Sequence, residues 1–412
     1  MDYGLIGAKL GHSHSPRIHR ALGGYDYQLR ELAEEDLLGF LEEGDFKGIN
    51  VTIPYKKAVI PYCAVLGEGA RRIGCVNTIV RRPDGALWGE NTDYYGFCHT
   101  AKRAGVDFAG RHVLILGSGG TSLTAFRAAE DLGAASVERV SRSGALNYEN
   151  VYERAETEIV VNTTPVGMFP RNGERAVDLG RFPRLRGVVD VVYNPLRTAF
   201  LLQAEALGVP AAGGLPMLVA QARRACELFT GESVSEERME AVLREVAGAV
   251  SNVVLIGMPG SGKSSVGAAV ARRLGRDFVD ADEEIAARAG KSIPEIFARE
   301  GEERFRALET EVLSDLGKRS GIVLATGGGA VLFERNLPHL RQNGRIYRIT
   351  RDVSRLATRG RPLSTSPERL REMEREREPF YRRAADVTVS NDGSTAETVA
   401  AILRDLKEEV RI

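Results

Sequence analysis

The run Gly257-Met-Pro-Gly-Ser-Gly262-Lys263-Ser264 can hold a phosphate chain. It follows the apolar stretch Val253–Ile256 and precedes a helical pattern from Ser265 to Leu274, the strand–loop–helix setting that gives G-x-x-x-x-G-K-S its meaning. Gly257, Gly260 and Gly262 let the backbone wrap around phosphate oxygens, and the helix start adds free N–H groups and partial positive charge. Lys263 would reach the β/γ-phosphates and Ser264 would hold Mg²⁺. With Ser261 and Ser265 these residues make up the expected ATP-binding loop. Downstream, Phe278-Val-Asp280-Ala-Asp282 ends a strand-like run with two carboxylates. Asp280 could support the metal and Asp282 could accept a substrate hydroxyl's hydrogen bond. On a regular strand the two would share a face, a turn would separate them, and Asp282 could also cap a helix beginning at Glu283.

A second glycine-rich loop lies earlier. His112-Val-Leu-Ile-Leu-Gly117-Ser-Gly119-Gly120-Thr121-Ser122 reads as a strand running into a turn and a helix. It departs from G-x-G-x-x-G at Ser122. A dinucleotide site for NAD wants an acidic residue about 20 positions on. Here the next strand ends in Val140-Ser141-Arg142, and a guanidinium there suits a 2′-phosphate, so NADP(H) is expected.

Upstream again is a group of polar segments: His12-Ser13-His14-Ser15-Pro16, Asn50-Val-Thr52-Ile-Pro-Tyr-Lys56, Asn77-Thr78 and Asn91-Thr92-Asp93. Singly, each is a common turn or cap pattern. Together they supply the hydroxyl, amide and proton-donor groups that a small polyhydroxylated acid requires. A lysine such as Lys56 can stabilise the negative charge left on a carbonyl oxygen by arriving hydride, and a nearby carboxylate would keep it protonated.

These residues need layered α/β elements to position them. Apolar runs at Val113–Leu116, Ile159–Asn162, Val188–Val192, Val253–Ile256 and Ile322–Ala325 alternate with helical patterns, which predicts parallel sheets. At 412 residues the chain has room for two or three domains. The small, uncharged stretch 247–252 is the expected linker, after a helix over Ser235–Val246. The balance of 56 basic and 56 acidic residues gives no electrostatic footprint for nucleic acid. Met1–Gly7 has no signal-peptide pattern and no run reaches the roughly 18 apolar residues of a membrane span, so a cytoplasmic protein is expected. Four cysteines without C-x-x-C spacing read as reduced thiols rather than metal ligands or nucleophiles. The Arg- and Glu-rich stretch Arg369–Arg383 reads as a solvated helix with i,i+4 pairs.

The first half resembles shikimate dehydrogenase. The resemblance rests on the segments above, with Val76-Asn-Thr78, Asn162-Thr-Thr-Pro-Val-Gly-Met168, Asp190-Val-Val-Tyr-Asn-Pro195 and Gly214-Leu-Pro-Met217-Leu-Val-Ala-Gln221, and reaches to about position 225. It implies a substrate domain over residues 1–95, completed by helices in about 198–246, and a Rossmann-like NADP domain over 96–197. Ser13, Ser15, Thr52, Asn77, Asp93, Tyr193 and Gln221 would then bind substrate, and Lys56 with Asp93 would be the catalytic pair. Gly117, Gly119, Gly120, Thr121, Ser122, Ser141, Arg142 and Met217 would bind NADP(H).

The second half resembles shikimate kinase across about Asn252 to Asp405, which implies a kinase domain over 253–412. Its signatures are the phosphate loop, Asp280-Ala-Asp282, Gly301-Glu-Glu-Arg-Phe-Arg306-Ala-Leu-Glu309, Gly327-Gly-Gly329, Arg361-Pro-Leu363 and Arg377-x-Pro-x-Tyr381. By this resemblance Asp282 would engage the hydroxyl that is phosphorylated, Arg306 and Arg377 would clamp the carboxylate, and Gly328 and Gly329 would approach the ring. Lys263 and Arg361 would stabilise the transferring phosphoryl group, with Arg359 against adenine, although the short lid ending at Ser364 departs from the family pattern. The implied protein is a fused, bifunctional enzyme acting on 3-dehydroshikimate and shikimate with NADP(H), ATP and Mg²⁺, as a monomer or small homo-oligomer with no membrane or nucleic-acid partner. Two readings stand beside it: an NAD-dependent quinate/shikimate dehydrogenase fused to another small-molecule kinase, and a non-catalytic nucleotide sensor.

Overall fold

The computed structural model describes residues 1–11, 13–356 and 367–408. His12, Arg359, Arg361 and Ser364 lie outside them. The chain divides into two compact units, residues 1–246 and the part from Ala247 onward.

The first unit holds two sheets. One has six strands in the order Gln28–Glu31, Tyr3–Gly7, Gly48–Val51, Thr78–Arg81, Leu87–Glu90, Val65–Leu66. It is mixed rather than parallel throughout, because Thr78–Arg81 runs antiparallel to both neighbours. The pairing with Leu87–Glu90 has a local cause. Pro83-Asp-Gly85 turns the chain back on itself, with Gly85 at φ +84° and the Arg82 amide donating to the Ala86 carbonyl at 2.9 Å. The other sheet is parallel, in the order Ala211–Ala212, Gly187–Asp190, Ile159–Asn162, His112–Leu116, Ser136–Val140. Side chains alternate across it: Val113 and Ile115 enter one core, Leu114 and Leu116 the other, as strands buried on both faces require.

Helix Gly214–Thr230 carries the chain back from the parallel sheet and packs along helix Thr92–Arg103. Gly96 permits this close approach, since a Cβ there would lie 2.7 Å from the Met217 carbonyl oxygen. The contact brings Gln221 beside Thr92.

The second unit is one parallel sheet in the order Phe278–Asp280, Val323–Ala325, Asn252–Ile256, Gly344–Thr350, Val387–Ser390. Val254 and Ile256 face one core while Val253 and Leu255 face the other. The central strand Asn252–Ile256 delivers the phosphate loop at its carboxyl end, where ligands bind in open parallel sheets.

The expected linker is not a loop. Helix Glu236–Val250 runs through Ala247-Gly-Ala-Val250, and only Ser251 separates it from the strand at Asn252. Its start is capped by Ser235, whose Oγ accepts from the Arg238 amide at 3.2 Å. Alanines favour the helix, no proline stops it, and Val246 and Ala247 are buried. The phosphate-loop helix likewise begins at Lys263, two residues before the expected start. Among the described residues, no helix is long and apolar enough to cross a membrane.

Candidate active sites

Lys56 sits on the turn that follows strand Gly48–Val51, and Asp93 lies in the first turn of helix Thr92–Arg103. Asn91 caps that helix by accepting from the Tyr94 amide at 3.1 Å, so Asp93 is held at an end where peptide dipoles favour negative charge. Lys56 Nζ meets Asp93 Oδ2 at 2.5 Å, with the side chains 14% and 11% exposed. Burial opposes the charge on Lys56, but the Asp93 carboxylate outweighs it and raises the ammonium pKa above its ordinary 10.5. The other carboxylate oxygen is also fixed, because Asn77 Nδ2 donates to Asp93 Oδ1 at 2.9 Å. Asn77 is itself oriented by the Thr92 amide, which donates to its Oδ1 at 2.7 Å.

Ser13, Ser15, Thr52, Lys56, Asn77, Asp93, Tyr193 and Gln221 all line one cavity of about 190 Å³, and Thr121 and Met217 from the cofactor set join them. Segments spread over more than half the chain thus converge on one pocket holding a buried ammonium. That pocket can bind a small hydroxylated ligand and hand a proton to an oxygen on it. Asn50 also borders the pocket, but its amide is committed to Thr78 Oγ1 at 3.0 Å while its oxygen accepts from Tyr27 at 2.7 Å.

At the glycine loop, Gly117 has φ +122° and Gly119 stands just before helix Gly120–Asp131, so open amides face outward. The Ser122 side chain turns inward. It is fully buried and its hydroxyl donates to the Gly117 carbonyl at 2.8 Å, bracing the loop from beneath. Arg142 is exposed just past strand Ser136–Val140, beside Ser141. Among the described residues no carboxylate pairs with Arg142, so it suits a phosphate.

One buried carboxylate escaped sequence reasoning. Asp190, at the end of its strand, accepts from Thr198 Oγ1 at 2.6 Å and from the Val192 amide and Asn162 Nδ2 at 3.0 Å each. Burial lifts its pKa to about 7 against these three donors, and it braces the segment that carries Tyr193. Burial also pushes the Cys63, Cys75 and Cys98 thiols up to about 11, which keeps them protonated and weakly nucleophilic.

In the second unit Gly257, Gly260 and Gly262 take φ of +142°, +85° and +97°, the left-handed region open to glycine. Lys263 Nζ curls over the loop and donates to the Gly257 and Met258 carbonyls at 3.0 and 3.1 Å. Ser264 Oγ donates to Asp280 Oδ2 at 2.6 Å, which places two hard oxygen donors side by side, a pair suited to Mg²⁺. The cap of helix Ala281–Ala289 is Asp280 and not Asp282: Asp280 Oδ1 accepts from the Asp282 amide at 3.0 Å. The strand ends at Asp280, so the turn separates the two carboxylates and sends Asp282 elsewhere.

The turn Gly327–Gly329 gathers the remaining substrate candidates. A Cβ on Gly327 would lie 2.7 Å from Asp282 Oδ1, and one on Gly329 would lie 2.7 Å from Arg306 Nη1. The Gly328 carbonyl accepts from Arg377 Nη1 at 3.0 Å and from the buried Tyr381 hydroxyl, and Gly328 packs on Pro259 of the phosphate loop. Asp282, Arg306 and Arg377 therefore surround one glycine turn beside the phosphate loop. Arg306 Nη1 donates to Glu309 Oε2 at 2.9 Å, and burial holds the Glu309 carboxyl above the usual carboxylate range. Asn391 was not anticipated: its Nδ2 donates to the Ser261 carbonyl at 2.8 Å and pins the loop from the far end of the last strand. The Arg-rich stretch is helical, as its spacing predicts, with Arg382 and Glu378 paired at i,i+4.

Comparison with known proteins matches three families. Residues 5–79 match the shikimate dehydrogenase substrate binding domain, 214–244 the shikimate 5'-dehydrogenase C-terminal domain, and 259–407 shikimate kinase. The NADP(+) shikimate dehydrogenase of Clostridium perfringens is 36% identical over 265 residues, covering 59% of this chain and 97% of that protein. The crystal structure of a chorismate mutase/shikimate 5-dehydrogenase fusion protein from Clostridium acetobutylicum is 33% identical, with a TM-score of 0.56 over 59% of this chain and 96% of that one. The Thermus thermophilus shikimate 5-dehydrogenase, solved with NADP(H) and shikimate, is 31% identical, with a TM-score of 0.53 over 60% of this chain and 99% of that one.

Proposed function

Because the chain belongs to the shikimate dehydrogenase family and carries a shikimate kinase domain behind it, we propose that it performs two successive reactions on one ring acid. It reduces 3-dehydroshikimate to shikimate with NADPH and phosphorylates shikimate to shikimate 3-phosphate with MgATP. The observation that carries this reading is the convergence of eight expected side chains on one cavity around the Lys56–Asp93 pair, in a chain that also holds a complete phosphate loop.

Bound NADPH supplies the hydride. Lys56 Nζ then stabilises the charge developing on the substrate's carbonyl oxygen and gives it a proton. Asp93, anchored through Asn77, keeps Lys56 charged and aimed. Ser13, Ser15, Thr52, Tyr193 and Gln221 hold the carboxylate and hydroxyls. Arg142, with Ser141, takes the 2′-phosphate, which favours NADPH over NADH.

In the second unit MgATP supplies the phosphoryl group. Ser264 and Asp280, already side by side, would hold the metal, and Lys263, which now donates to the Gly257 carbonyl, would hold the phosphates. Asp282 accepts the hydrogen bond of the attacking hydroxyl while Arg306 and Arg377 hold the ring acid's carboxylate. Residues 1–95 with the returning helices form the substrate domain, 96–197 the NADP domain, and 253–412 the kinase domain. The protein works in the cytoplasm as a monomer or small homo-oligomer.

The test is two half-reactions on the purified chain. NADPH oxidation should require 3-dehydroshikimate, and ADP release should require shikimate. NADPH oxidation or ADP release that ignores these acids would reject the assignment.

A further inference from the structure

Arg306 has three edges to its guanidinium, and the fold treats them differently. Nη1 is taken by Glu309, whose side chain is 1% exposed. Gly329 stands against the Nη1–Nη2 end, where even a Cβ would come within 2.7 Å of Nη1 and 2.8 Å of Nη2. The edge left for a ligand is the one formed by Nε and Nη2. It is held by a single oxygen of Glu302, which accepts from Nε at 3.2 Å and from Nη2 at 3.0 Å. Glu302 is 58% exposed, against 8% for Arg306. Gly301 just before it leaves the helical region, with φ +82° and ψ 174°, so Glu302 opens the helical segment that carries Arg306 one turn later.

We propose that Glu302 is a resident stand-in for the substrate's carboxylate: it occupies the side-on edge of Arg306 and must swing into solvent when the ring acid binds. Glu309 is the permanent partner that keeps the guanidinium aligned, and Glu302 is the displaceable one. An acid that forms both N–H bonds can displace Glu302, whereas a neutral ligand gains nothing by doing so. Glu302 thereby keeps Arg306 paired while the site is empty and lowers the affinity for the ring acid, leaving that for a neutral ligand unchanged. This rests on the reading of Arg306 as a carboxylate clamp.

The test uses the full chain with Glu302→Gln, and with Glu303→Gln as a control for a neighbouring exposed charge. An i,i+4 helix ion pair contributes only a modest amount, so the KM of E302Q for shikimate should fall about twofold with kcat little changed. The inhibition constant of shikimate methyl ester against the kinase should stay constant, and E303Q should leave both values alone. A KM that stays the same or rises in E302Q overturns the proposal, the latter marking Glu302 as a brace for Arg306. An equal gain for the ester, or the same gain in E303Q, also overturns it by tracing the effect to general charge. Arg306→Lys separates the two layers: it should raise the shikimate KM at least tenfold, and an unchanged KM would reject the clamp itself.

Discussion

Replacing Lys56 by alanine should abolish reduction, leave phosphorylation intact and loosen the first unit. The pair it breaks has 2.5 Å between Nζ and Oδ2 and side chains only 14% and 11% exposed. At an effective dielectric of about 20, unit charges that close attract by about 7 kcal/mol before desolvation is subtracted. Truncating one partner of a buried pair costs about 3–5 kcal/mol, because the other charge stays buried alone. The chemical loss is separate. A positioned proton donor contributes about 10²- to 10⁴-fold, or about 3–5 kcal/mol of barrier. The assay follows NADPH absorbance with 3-dehydroshikimate, and coupled ADP release with shikimate, on one preparation whose melting is also measured. K56A should lose at least about a hundredfold in reduction and keep its kinase rate. Adding Asp93→Asn should recover stability without recovering reduction. Reduction within tenfold of the parent, or a kinase rate that falls in step in a folded protein, would refute the reasoning. The pH dependence has a defined sign. The folded Lys56 pKa lies above the unfolded 10.5, so its contribution to stability is full below about pH 10.5 and is lost as pH rises through the folded value.

Further outcomes follow from the same geometry. Asp282→Asn should cut the kinase kcat by about a hundredfold or more while NADPH oxidation continues unchanged, measured in the same two assays. Arg142→Ala should raise the KM for NADPH by about tenfold or more, since hydrogen bonds to a charged group are worth about 1.5–3 kcal/mol, and should leave the KM for NADH within twofold. Asp190 should make stability fall as pH rises from about 4 to 7, because its folded pKa near 7 exceeds the ordinary 3.8 and the folded state holds the proton longer. At 1.36 kcal/mol per unit that difference is on the order of 4 kcal/mol, so Asp190→Asn should melt higher than the parent at pH 8 and lose most of this slope.

The local signals were legible because their chemistry is contiguous. The phosphate loop, the glycine turn at Gly117 and the polar segments around Lys56 and Asp93 declare themselves by residue type and spacing, and the polar segments line one pocket. What escaped depends on partners far along the chain. Asn391 matters through Ser261, and Glu302 through the way Glu309 and Gly329 close the other edges of Arg306. Ser122 stands at a fingerprint position, and its hydroxyl turns inward to Gly117, a partner that spacing does not reveal. Pro83-Asp-Gly85 signals the hairpin between Thr78–Arg81 and Leu87–Glu90 that interrupts the surrounding β–α alternation. The division between the two units falls at Val246 and Ala247, yet residues 247–250 are helical, because alanine with no proline continues a helix.

The most direct measurement supplies the purified chain with 3-dehydroshikimate, NADPH and MgATP together and identifies the products by mass. The account predicts shikimate 3-phosphate, with NADP⁺ and ADP formed in equal amounts once shikimate has been consumed. Shikimate accumulating without phosphorylation, or 3-dehydroshikimate left unreduced while ATP is hydrolysed, would contradict it.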